Sequence, residues 1–170
     1  MTEAGRNIVS VPQLYGTTHT LFAHVLPKLG TQVKFPKSDF PAALEALIDE
    51  NTRSLFCETV GNPAGDVEAF ATVAHRPGVP LIVDNTVGGL ILLRPIEFGA
   101  DVVPLSLTKL TGGHGTTLGG ITVDPGRFPW DAHAAHFPMF TQLDESYHGL
   151  MYTEHYGPAA FISRNRSVYQ

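Results

Sequence analysis

Three apolar runs in this chain each end on a polar residue with chemical use. Lys109 follows Ser106-Leu107-Thr108, Asp84 closes Leu81-Ile82-Val83, and Asn62 stands just beyond the run 53–58. A lysine at the end of a buried strand, flanked by Leu107 and Leu110, has its ammonium form penalised by desolvation, which favours an amine able to form an imine. An aspartate closing an apolar strand is costly to desolvate unless a cation meets it, and a protonated pyridine nitrogen is such a cation. Ser106 and Thr108 alternate around Leu107, so both hydroxyls can point the same way and donate to a phosphate. Taken singly, each has a plainer use: Asp84 can cap a helix, the two hydroxyls can satisfy a turn, and Lys109 can be solvated. Taken together, an Asp on one strand, Ser-x-Thr-Lys on the next and an Asn on a third are the parts of a pyridoxal-phosphate site.

The elements that must position these groups alternate. Short runs rich in β-branched and aromatic residues at 31–35, 53–58, 80–84, 101–106 and 119–123 read as strands. Their continuous apolar character implies burial on both faces. Amphipathic segments at 17–29, 40–48, 67–75 and 157–166 read as helices, with Pro27 disturbing the last turn of the first. The alternation predicts an α/β three-layer sandwich with a mostly parallel sheet, in which ligands bind beyond the carboxyl ends of the strands.

Composition narrows the function classes. The 170 residues suit one domain, and eleven Lys and Arg against sixteen Asp and Glu give a net charge of -5, with no basic patch for nucleic acid. No apolar leader follows Met1 and no run approaches the length of a membrane span, so a soluble, cytoplasmic protein is expected. The lone Cys57 lies in the apolar run Leu55-Phe56-Cys57, where a reduced, buried thiol is expected.

Eight histidines invite a metal reading. His133 with His136, or His148 with Glu154 and His155, lack a recognised ligand spacing, and no metal is predicted. His114, in the glycine-rich stretch after Lys109, either approaches the cofactor region or orders the loop. A dinucleotide fingerprint is not met at Gly119-Gly120.

The strings Leu14-Tyr15-Gly16-Thr17, Glu58 to Pro63, Val83-Asp84-Asn85-Thr86 and Ser106 to Lys109 resemble, in order, the Cys/Met-metabolism family of pyridoxal-phosphate enzymes. Gly112-Gly113-His114-Gly115-Thr116-Thr117, the Phe137-Pro138 to Phe140 segment and Ser146-Tyr147-His148-Gly149-Leu150 are similar to its O-acetylhomoserine sulfhydrylase branch. The resemblance implies the large domain of the fold-type I pyridoxal-phosphate transferases, with pyridoxal 5'-phosphate as cofactor and an amino acid as substrate. It implies that Lys109 carries the cofactor as a Schiff base, Asp84 pairs with its ring nitrogen and Tyr15 stacks on the ring and takes part in proton transfer. Asn62 falls near the ring hydroxyl, and Ser106 and Thr108 at the phosphate. The implied reaction is replacement of the acyloxy group of an O-acylated homoserine by a sulfur nucleophile, in a homo-oligomer, the family's tetramer.

Family members are more than twice this length, and the resemblance implies an incomplete large domain without the family's amino-terminal arm and carboxy-terminal domain. Two other readings stay open: a catalytically silent remnant serving as an interaction module, and a relative using a nitrogen or carbon nucleophile. Pro104-Leu105, Leu107 and Thr18-His19 depart from the branch.

Overall fold

In the computed structural model of the chain, residues 1–60 and 66–169 are described. They form two compact units, Thr2–Val123 and a smaller one from Asp124 onward.

The larger unit is built on a sheet. Strands β1 (Asn7–Ser10), β2 (Gln32–Lys34), β3 (Thr52–Glu58) and β4 (Leu81–Asp84) pair in parallel in the order β2-β1-β3-β4. Strand β5 (Val103–Ser106) extends the array beside β4, where Val83 donates to the Val102 carbonyl at 2.9 Å and Asn85 to that of Pro104 at 3.0 Å. Strand β6 (Gly120–Val123) then closes on β5 in antiparallel register.

Alternation along the strands feeds two cores. Val9, Leu55, Cys57, Leu81 and Val83 face one side, where Phe70, Val73 and Ala74 of a helix at Val67–His75 cover them. Ile8 and Phe56 face the other, packed with Phe22 from the helical segment after β1. Helices on both faces of a mostly parallel sheet make three layers, as the alternation predicted.

The helices keep the expected order with altered ends. Helix α1 (Gly16–Thr20) widens into a π turn at Leu21–Val25 and finishes as a 3-10 turn at Leu26–Leu29. Pro27, which has no N–H for an interior α-helical bond, sits at the start of that last turn. Helix α2 (Pro41–Glu45) is shorter than the segment 40–48, and α3 (Val67–His75) keeps its expected bounds because the Asp66 side chain accepts the Ala69 N–H at 3.0 Å.

Strand β1 was not anticipated. Its polar end residue Asn7 is buried because Asp49 accepts from the Asn7 amide at 2.9 Å, while Thr52 donates to the Asn7 side-chain carbonyl at 2.8 Å. Burial alone would raise the Asp49 carboxyl. Hydrogen bonds from Lys34, Asn7 and the Asn51 N–H outweigh it and hold the group well below the usual carboxylate range.

The smaller unit gathers Phe128, Trp130, Phe137, Phe140 and Tyr152 into an aromatic core, with Trp130 and Phe140 rings 4.5 Å apart. Its helices are α4 (Pro138–Thr141), α5 (Tyr152–Tyr156) and α6 (Ala160–Tyr169), of which only the last was expected, over 157–166.

Candidate active site

Strands β3, β4 and β5 run the same way, so their carboxyl ends deliver Glu58, Asp84 and Ser106 to one edge of the sheet. Tyr15 arrives there from the turn after β1, and Lys109 from the turn after β5. A cleft of about 470 Å³ at this edge is lined by Tyr15, Glu58, Asp84, Thr86, Ser106 and Lys109, among others. That volume is in the range of cofactor-sized pockets.

Each side chain is set by a local device. The Asp84 Oδ1 accepts the Thr86 N–H at 2.8 Å, and its second oxygen has no hydrogen-bond partner among the described residues. The Thr86 hydroxyl oxygen accepts the Ser106 N–H at 2.8 Å, tying the ends of β4 and β5 together. Asn85, buried between them, donates to the Gly89 and Leu93 carbonyls and accepts from the Thr59 hydroxyl at 2.8 Å. This polar network ties the turn after Asp84 to the end of the sheet.

Lys109 is three residues beyond the last residue of β5 and exposed, not enclosed at a strand end as its apolar neighbours suggested. Leu107 is only half-buried and Leu110 is 62% exposed, so neither shields the amine. The Lys109 Nζ stands over the Tyr15 ring, 5.4 Å from its centroid, a cation–π contact. The turn closes through the Gly112 N–H, which donates to the Leu107 carbonyl at 2.8 Å. A Cβ at Gly112 would lie only 3.0 Å from that oxygen, so glycine permits the closure.

The two hydroxyls flanking Leu107 part company. Ser106 lines the cleft, whereas the Thr108 oxygen accepts the Gly119 N–H at 3.0 Å and braces the lysine turn. Asn62 lies outside the described residues. His114 is exposed, its ring 3.4 Å from the Gly112 carbonyl within its own loop, and does not line the cleft. Among the described residues no three His, Cys, Asp or Glu side chains gather as metal ligands.

Sequence reasoning missed Glu58 and Thr86. Glu58 pairs in register with Asp84, and its Oε1 accepts the Tyr15 N–H at 2.9 Å. Burial, seconded by the charge of Asp84, pushes the Glu58 carboxyl up, against the opposing pull of the Tyr15 N–H. The available signal was positional: Glu58 ends the strand next to the one that Asp84 ends.

A mostly parallel sheet with a lysine, a carboxylate, an aromatic ring and hydroxyls at its carboxyl edge defines the class of pyridoxal-phosphate enzymes with fold-type I architecture. Comparison with known proteins makes the assignment specific. Residues 1–155 match the family described as Cys/Met metabolism PLP-dependent enzyme, and the chain belongs to that family. It is 49% identical over 165 residues to homocysteine synthase of Schizosaccharomyces pombe, covering 95% of this chain and 38% of that protein. It is 46% identical to O-acetyl-L-homoserine sulfhydrylase 1 of Thermus thermophilus, covering 98% of this chain and 40% of that one. Among solved structures, a putative O-acetylhomoserine (thiol)-lyase of Campylobacter jejuni with N'-pyridoxyl-lysine-5'-monophosphate superposes with a TM-score of 0.90 at 31% identity, over 99% of this chain and 42% of that chain. The chain thus spans about two fifths of the length of the curated relatives it matches.

Proposed function

We propose that the cleft holds pyridoxal 5'-phosphate and that the protein catalyses γ-substitution on O-acetylhomoserine with a sulfur nucleophile. In that reaction the Cγ–O bond breaks with acetate leaving and a Cγ–S bond forms, and with sulfide as the nucleophile homocysteine results. The observation that carries the proposal is the convergence of Tyr15, Asp84, Ser106 and Lys109 on one cleft in a member of this family.

The residues fit the cofactor. Lys109 offers a solvent-reachable amine for a Schiff base, Tyr15 an exposed aromatic face, and Asp84 a carboxylate oxygen with no hydrogen-bond partner among the described residues. When bound, pyridoxal phosphate supplies an electron sink that stabilises negative charge at the substrate α-carbon. Asp84 keeps the ring nitrogen protonated through its own charge. Ser106 donates its hydroxyl to the phosphate. Thr108 is assigned to the phosphate on the resemblance alone: its oxygen accepts the Gly119 N–H at 3.0 Å, its hydroxyl donates to the Gly119 carbonyl at 3.4 Å, and it does not line the cleft. Asn62 is assigned to the ring hydroxyl on the resemblance alone. Lys109 Nζ carries protons between substrate carbons, and the Tyr15 hydroxyl assists beside it.

We place this activity in the cytoplasm and in a homo-oligomer. No helix among the described residues is long and apolar enough to cross a membrane. Ile91 and Leu92 are 87% and 84% exposed, surface that a second copy would cover.

The test is capture and turnover. Incubation with pyridoxal phosphate and borohydride reduction should give one adduct, mapped by mass spectrometry to Lys109 and lost in Lys109→Ala. O-acetylhomoserine and sulfide should then give homocysteine and acetate in equal amounts. A folded protein that forms no adduct, or forms it at Lys28, Lys34 or Lys37, refutes the proposal.

A further inference from the structure

Tyr15 presents a problem of positioning. Its side chain is 57% exposed, and the helix it precedes, Gly16–Thr20, contains no buried residue. Packing does not fix the ring, yet the ring meets Lys109 at the cleft. On the strand side, Glu58 ends β3, whose preceding six residues are all buried, and its carboxylate accepts the Tyr15 N–H at 2.9 Å. A side chain on so rigid an element is a fixed post.

We infer that Glu58 is a positioning residue for Tyr15: its carboxylate ties the Tyr15 turn to the sheet edge and thereby holds the phenol ring at the cleft. The arrangement costs stability. Glu58 and Asp84 are like charges directly opposed in a parallel register, which is unfavourable in a sheet. Burial and Asp84 both oppose ionisation of Glu58. Each carboxylate accepts a backbone N–H, that of Tyr15 at Glu58 and that of Thr86 at Asp84, and a cleft that receives a cationic ring nitrogen and a lysine amine would offset their mutual repulsion. The consequence for the cofactor rests on the proposed function; the anchoring of Tyr15 does not.

The test separates the two. Amide hydrogen exchange at Tyr15 is measured by NMR on the full chain without cofactor, in wild type, Glu58→Ala and Glu58→Gln, with the Leu55 amide of β3 as the fold control. Removing a hydrogen bond to a carboxylate should speed Tyr15 exchange roughly tenfold in Glu58→Ala, with Leu55 unchanged. Glu58→Gln keeps a carbonyl acceptor and should restore protection. If Glu58→Ala disturbs Leu55 as well, the Gln variant decides alone: retained Tyr15 protection supports the anchor, and lost protection with Leu55 intact overturns it. Unchanged Tyr15 exchange in Glu58→Ala also overturns it. With pyridoxal phosphate added, the induced visible circular dichroism should fall in the Ala variant and persist in the Gln variant. Wild type with a protected Tyr15 but no reducible adduct would sink the cofactor reading and leave the anchor standing.

Discussion

Removing the Asp101 carboxylate should destabilise the larger unit in a pH-dependent way. The Asp101 side chain is 7% exposed, and its Oδ2 accepts both the Leu81 N–H at 2.8 Å and the His75 Nε2 at 2.7 Å. Leu81 is fully buried, so Asp101→Ala strands that donor, a loss of about 1.5 to 3 kcal/mol for a buried bond to a charged acceptor. The His75 side chain is 42% exposed, so its ion pair is screened and adds only about 0.2 to 1 kcal/mol. The bond to Asp101 raises the His75 pKa above its ordinary 6.5, against the opposing effect of burial. A raised folded-state value means that the pair contributes fully below 6.5 and is lost as pH rises through the higher folded value. The penalty should therefore be about 2 to 4 kcal/mol near pH 5.5 and shrink to the Leu81 part near pH 9. Urea unfolding at both pH values measures it, followed by far-UV circular dichroism because the single tryptophan, Trp130, reports on the smaller unit. A penalty that grows with pH, or one below about 1 kcal/mol at pH 5.5, refutes the reasoning.

Two further outcomes follow from the same geometry. Burial, with the charge of Glu58 second, pushes the Cys57 thiol up to about 12, so the folded protein should resist iodoacetamide near neutral pH and react only when denatured, as mass spectrometry would record. A Cβ at Gly88 would collide with the Asn85 side-chain oxygen, which the Thr59 hydroxyl already holds. Gly88→Ala should therefore cost about 1 to 3 kcal/mol in urea unfolding and reduce adduct formation at Lys109, since Asn85 separates Asp84 from Thr86.

The sheet was legible where burial is two-sided. Runs such as 53–58 and 80–84 carry apolar residues at successive positions, and only a strand covered on both faces uses them all. Strand β1 was not legible because its four residues begin with Asn and end with Ser, and the partners that make the buried Asn7 acceptable lie more than forty residues away in sequence. The smaller unit was hidden for a related reason. Its core is made by rings from short separate turns, Phe128, Trp130, Phe137 and Tyr152, which leave no helical period to read. At the site, Asp84 and Lys109 announced themselves by residue type after an apolar run. Glu58 did not, because its role depends on the register between β3 and β4 and on a bond to Tyr15 forty-three residues away.

The enclosed lysine was misread for an instructive reason. Leu107 and Leu110 suggested a buried strand end, but β5 stops at Ser106 and the chain turns, with Thr108 and Gly112 closing the turn. The outcome divides the site by mechanical need. In the proposed reaction a carboxylate that faces one ring atom gains from a rigid mount, and Asp84 sits on a strand with Thr86 and Asn85 locking the residues after it. In the same proposal an amine that engages a cofactor and then carries protons between carbons gains from reach, and Lys109 sits on an exposed turn with four rotatable side-chain bonds. Tyr15 belongs to neither group: it is exposed like the lysine, yet the proposed stacking on a cofactor ring requires its own ring to lie in one plane. A carboxylate on a buried strand, gripping the tyrosine by its backbone, resolves that conflict without burying the ring.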